Sequence, residues 1–147
     1  MADAMTPDGI LRACAFLEAV WREDGAAMTT LLRHEPGEQP TPVLVAGLGD
    51  LIMQAMLPAR LGIHDGMPAD ELAAAAERLD SDPAAQVSVV LSETLKALAP
   101  TAAPEQAAII ARSLIGYLIA ISEATEDHVL PLINGLREAA LRRGSTI

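Results

Sequence analysis

The segment from Pro104 to Glu123, PEQAAIIARSLIGYLIAISE, constrains this chain most, because its apolar residues run nearly the whole way round a helix. A helix of that kind needs neighbours on most of its sides. Stepping 100° per residue puts Ile110, Leu114, Tyr117, Leu118 and Ile121 on one broad face. Ser113, Gly116, Ala120 and Ala124 line up beside it as a stripe of small residues, and only Glu105, Arg112 and Glu123 mark a thin polar seam. The pattern predicts an all-α fold: one helical domain over residues 1–147, a bundle of about six or seven helices with 104–123 as its nearly all-apolar central helix. The small stripe would admit another backbone at close range.

A chain of 147 residues is long enough to bury a core without staples. Aromatic residues make up only 2%, so that core has to be aliphatic and Met-filled. The single cysteine, Cys14, has no partner for an internal disulfide, in keeping with a reducing compartment. Met1 to Met5 carry an acid where a secretory signal would carry Lys or Arg, and no apolar run follows directly. A cytoplasmic location is expected. The two most apolar stretches are interrupted, one by Asp50, Gln54, Pro58 and Arg60 and the other by Arg112, so buried helices are expected and not membrane spans. A net charge of −10 opposes binding to phosphate backbones. Arg137, Arg142 and Arg143 cluster near the carboxyl end of the last helix, where cations favour the helix dipole without any ligand.

Helix starts punctuate the chain. Thr6-Pro7-Asp8 supplies a cap, a first-turn proline and an acid, opening a helix to about Glu23. Ile10, Ala13, Cys14, Leu17, Val20 and Trp21 point inward there, while Arg12, Glu18, Arg22 and Glu23 face away. Asp24-Gly25 caps a short second helix to about Arg33. The polar, proline-rich stretch from His34 to Pro40 is a loop, and Thr41-Pro42 repeats the capping signature before a helix that kinks or ends near Pro58. Pro68 starts a fourth helix, with Leu72, Ala75, Ala76 and Leu79 as its apolar face. Asp82-Pro83 starts a fifth, with Val87, Leu91, Thr94, Leu95 and Leu98 as its apolar periodicity. After the 104–123 segment, Val129, Leu132, Ile133, Leu136 and Leu141 face inward on a last helix that Gly144 stops.

Chemistry-bearing motifs are sparse. Gly47-Leu48-Gly49 has half of a dinucleotide fingerprint, but Ile52 stands where the third glycine belongs and no βαβ unit surrounds it. Those glycines are expected to pack against the Ser113, Gly116, Ala120 stripe. His34, His64 and His128 each sit beside acids, and a divalent metal would need all three to converge from separate turns, with no H-E-x-x-H spacing to help. Cys14 lies on an apolar stripe with no adjacent base, the setting of a packing thiol. No serine sits in a G-x-S-x-G turn. Paired acids such as Asp70-Glu71 and Glu126-Asp127 belong at helix amino ends. Asp50 and Arg112 each interrupt an apolar helix; either they pair with one another in the interior or each lies on a solvent seam.

These features predict a non-catalytic helical interaction or regulatory module that associates with a protein partner or with itself, as a homodimer. No catalytic, cofactor-binding or metal-binding residue is assigned. The second expectation is a binding protein for an apolar small molecule in a pocket lined by Met28, Met53, Met56 and aliphatic residues. A metal-dependent enzyme using the histidine-acid pairs comes third, and a DNA-binding regulator, lacking a basic recognition helix, comes last.

Overall fold

Thr6 starts the first helix as its place before a proline demands: its Oγ1 accepts the Gly9 N–H at 3.0 Å. The computed structural model describes residues 5–123 and 125–145, and it contains seven α-helices and no strand among them. In chain order they are α1 (Pro7–Trp21), α2 (Gly25–Leu32), α3 (Thr41–Arg60), α4 (Ala69–Ser81), α5 (Pro83–Leu98), α6 (Pro104–Ser122) and α7 (Val129–Ser145). Short 3-10 turns at Ala99–Thr101 and Glu126–His128 precede α6 and α7. The fold is an all-helical bundle, as the periodicity predicts.

The hub of the bundle is α1. It packs against α2, α3, α6 and α7, and Ala13, Cys14, Phe16 and Leu17 have no exposed surface at all. Each large apolar side chain so enclosed contributes roughly 1.5–3 kcal/mol, so a helix with four side chains wholly out of water anchors those packed on it. The 104–123 segment forms a helix at the expected place, but it is one wall of the core and not its axis. Its inner face, with Ile110, Leu114, Ile115 and Leu118, is buried against α1 and α3, while Ile109, Arg112, Gly116 and Ala120 are exposed. Apolarity around a circumference shows that a helix can be enclosed; it does not choose which sides receive neighbours.

Two expected side-chain placements change for a shared reason. Arg12 does not face away from the core. Its Nε donates to Thr41 Oγ1 and its Nη2 to the Leu31 carbonyl, both at 3.0 Å, and Nη2 also reaches the Arg33 carbonyl. Thr41 is not the cap of α3, since Pro40 holds that position; it is fully buried and donates its hydroxyl to the Leu31 carbonyl. Both side chains are thus spent on the open carbonyls at the end of α2, which would otherwise lack partners. Glu38 completes the arrangement, 3.6 Å from Arg12 Nη1, and accepts the Glu35 N–H at 2.8 Å. That backbone bond and Arg12 hold the Glu38 carboxyl below its ordinary range.

Across the bundle, Arg137 on α7 grips Glu18 on α1 with both terminal nitrogens, at 2.9 and 3.5 Å. Periodicity turns Glu18 away from the core, and Arg137 reads from the sequence only as one of the cations near the carboxyl end of the last helix. On α7, Leu141 is exposed and Ala140 takes the inner position, and the helix continues through Gly144 to Ser145. Pro58 lies inside the last turn of α3. Ala124 and the side chain of Arg143 lie outside the described residues.

Candidate functional site

α5 is turned outward relative to its periodicity. Its inner positions are Ala85, Ser88, Ser92 and Leu95, whereas Val87 is 67% exposed, Val90 66% and Leu98 55%. The two serines explain the turn. Ser88 Oγ bonds the Ala84 carbonyl one turn back at 2.7 Å and Tyr117 Oη at 2.9 Å, so its burial leaves no polar group unsatisfied. Ser92 Oγ donates to Asp50 Oδ1 at 2.9 Å. Both side chains are short: Ser92 seats α5 on α3, and Ser88 ties it to Tyr117 of α6. Bonding a helix inward through small polar residues sends its valines outward.

Asp50 therefore pairs with α5 and not with Arg112. Besides Ser92 it accepts from Gln54 Nε2 at 2.9 Å and lies 3.5 Å from Lys96 Nζ. Arg112 sits on the exposed side of α6, beside α2.

The outward face of α5 continues onto α6. A groove between the two helices is lined by Val87, Ser88, Tyr117, Ala120 and Ile121, with Arg60 and Glu123 at its mouth. Ala120 of the small stripe borders this groove, and Gly116 meets no other helix: a Cβ built on it would find nothing within 4 Å. Gly49 on α3 does make a close approach, but to Leu114, whose Cδ1 would lie 3.0 Å from an added Cβ. Gly47 lies near Met5, so the Gly47-Leu48-Gly49 segment is helical packing and not a phosphate loop.

The chain matches no known family model, no curated protein and no solved structure.

A second concavity, of about 400 Å³, lies between α3, α4 and α5, with Met53, Leu57, Leu79 and Val89 as apolar walls and Asp50 and Lys96 on its rim. Of the three methionines expected in one pocket only Met53 is there; Met28 lines a shallow groove beside α6, and Met56 packs on the main core. The histidines are brought to three separate places. His34 is in the α2–α3 loop, His64 bonds the neighbouring Asp65 carbonyl at 2.8 Å, and His128 bonds Thr125 Oγ1 at 2.9 Å. Among the described residues no group of three or more His, Cys, Asp or Glu side chains is placed to hold a metal ion. Cys14 is buried as expected, and that burial pushes its thiol up to about 11, far from the thiolate form at neutral pH. By length and composition α3 and α6 would suffice to cross a membrane, and each carries a face of the shared core.

Periodicity places Val87 and Leu98 inward because it scores apolar residues as buried, whereas both are exposed. Ser88 and Ser92, one turn apart on a single face, and the absence of any charge from Pro83 to Ser92, were the signals that could have found them.

Proposed function

We propose that this protein is a non-catalytic helical interaction module that self-associates through the outer face of α5 and α6. One observation carries the reading: in a chain of net charge −10, exposed Val87 of α5 and Ala120 of α6 line one groove whose charged residues, Arg60 and Glu123, are of opposite sign. Burying such a patch is favourable at roughly 25 cal/mol per Å², and two acidic copies can meet only where their charges are absent or matched. Size exclusion with light scattering, run from about 1 to 100 μM, tests it. The expected mass approaches twice the 15.4 kDa chain mass as concentration rises. A single-chain mass throughout overturns self-association.

The α3–α4–α5 cavity supports a second reading, a binder of a small apolar molecule. Its volume of about 400 Å³ falls in the range of ligand pockets, and α4 closes it with only Ala75 buried. Native mass spectrometry of freshly purified protein should then show a bound mass below 1 kDa or so; a bare chain mass counts against this second reading.

A further inference from the structure

The outer face of α6 carries one cation and one anion at opposite ends of its small residues. Arg112 lies on α6 and Glu123, eleven residues on, is its left-handed C-cap; three helical turns with an offset of about 20° bring their backbones to one side of the helix. Between them Gly116 and Ala120 are exposed and Ser113 is half-buried. Among the described residues, neither Arg112 nor Glu123 makes a side-chain hydrogen bond or an ion pair. Gly116 leaves open space where a side chain would stand.

Resting on the self-association reading, we propose that two copies pair α6 against α6 in antiparallel fashion, about a two-fold axis level with Tyr117 and Leu118. Charge selects this occupant. An antiparallel pair centred there sets Arg112 of each copy opposite Glu123 of the partner subunit, twice by symmetry. A parallel pair would set Arg112 against its own equivalent. A face that becomes complementary to itself after a half-turn is what an isologous dimer requires. In this register Gly116 of each copy comes within one residue of lying opposite the partner subunit's Ala120, which lets the two helix axes approach to the short end of the usual range of about 8–10 Å. Val87, at the edge of the α5–α6 groove, lies alongside this contact and would be covered by it. The rest of the acidic surface is kept apart, because between Arg112 and Glu123 α6 carries no charge.

The test is a charge-reversal cycle read by sedimentation equilibrium at about 50 mM salt, where screening is weak. Arg112→Glu alone and Glu123→Arg alone each place like charges together at both ends, and each should raise the dimer dissociation constant at least tenfold. The double variant R112E/E123R restores opposite charges and should return to within about threefold of wild type. Gly116→Leu fills the crossing point at a position where an added Cβ meets nothing within 4 Å in its own chain, so it should give monomers with unchanged helicity by circular dichroism. Dimers that persist in Gly116→Leu and in both single variants overturn the α6 pairing while leaving self-association intact. A wild-type monomer at all concentrations overturns both, and flotation of that monomer with phosphatidylcholine vesicles would assign the face to a lipid surface instead.

Discussion

Gly49 and Gly116 are both helical glycines, and replacing each by alanine should have opposite effects. Alanine in a helix interior is favoured over glycine by about 0.8–1.0 kcal/mol, because the glycine backbone loses more freedom on folding. At Gly116 nothing opposes that gain, since no atom lies within 4 Å of the new methyl; Gly135 on α7 is equally open. At Gly49 the methyl would sit 3.0 Å from Leu114 Cδ1 and 3.5 Å from Cδ2, and Leu114 is fully buried, so it would have to shift within a packed core. Overpacking of that kind costs about 1–3 kcal/mol. Gly49→Ala should therefore be net destabilising by about 1 kcal/mol and Gly116→Ala stabilising by about 0.5–1 kcal/mol, a separation near 2 kcal/mol. For a chain of this length that is a gap of about 4–8 °C in Tm. Urea unfolding followed at 222 nm, at protein concentrations low enough to remove any effect of association, reads the difference. Shortening the neighbour in G49A/L114V should recover part of the loss, a non-additivity expected only of residues in contact. Equal stabilisation by Gly49→Ala and Gly116→Ala would refute the close approach of α3 to α6.

Other side chains carry their own tests. Arg12→Lys keeps the charge but loses the fork that spans Thr41 and the Leu31 and Arg33 carbonyls, so it should cost about 1.5–3 kcal/mol and speed hydrogen exchange across residues 33–40. The Glu18 carboxyl is held below its ordinary value chiefly by its hydrogen bond from Arg137. Its contribution is therefore fully present above the unfolded carboxyl range near pH 4.5 and is lost as pH falls through the lower folded value. With both partners partly exposed, Glu18→Gln should cost no more than about 1 kcal/mol at pH 7, and the gap to wild type in acid-titrated stability should vanish at low pH. Cys14, buried with its thiol pushed to about 11, should react with a thiol reagent at pH 8 only through unfolding; rapid labelling of the native chain would contradict its burial.

Local chemistry was the legible part of this fold. Thr6, Asp24 and Asp82 each accept a backbone N–H at a helix start, as their positions before Pro7, Gly25 and Pro83 announce. Those signals need only three or four neighbouring residues. The facing of a helix is decided by distant ones. Ser92 points inward because Asp50, forty-two positions away, accepts its hydrogen bond, and no periodic count of α5 contains that fact. Arg12 turns into the α2–α3 loop because α2 ends with open carbonyls beside it. The composition of the 104–123 segment points to neighbours on most of its sides, whereas α1 takes the centre with shorter and less uniformly apolar stretches. The candidate surface follows from the same gap: its valines were legible as apolar but not as outward.

The outer face of α5 and α6 as a self-association surface is tested most directly by sedimentation velocity of wild type beside V87E/V90E. Both valines are about two-thirds exposed, so within one chain the two carboxylates should change stability by no more than about 0.5 kcal/mol each. The account predicts a wild-type dimer and a variant monomer with the same circular dichroism spectrum. A dimer in both, or a monomer in both, would contradict it.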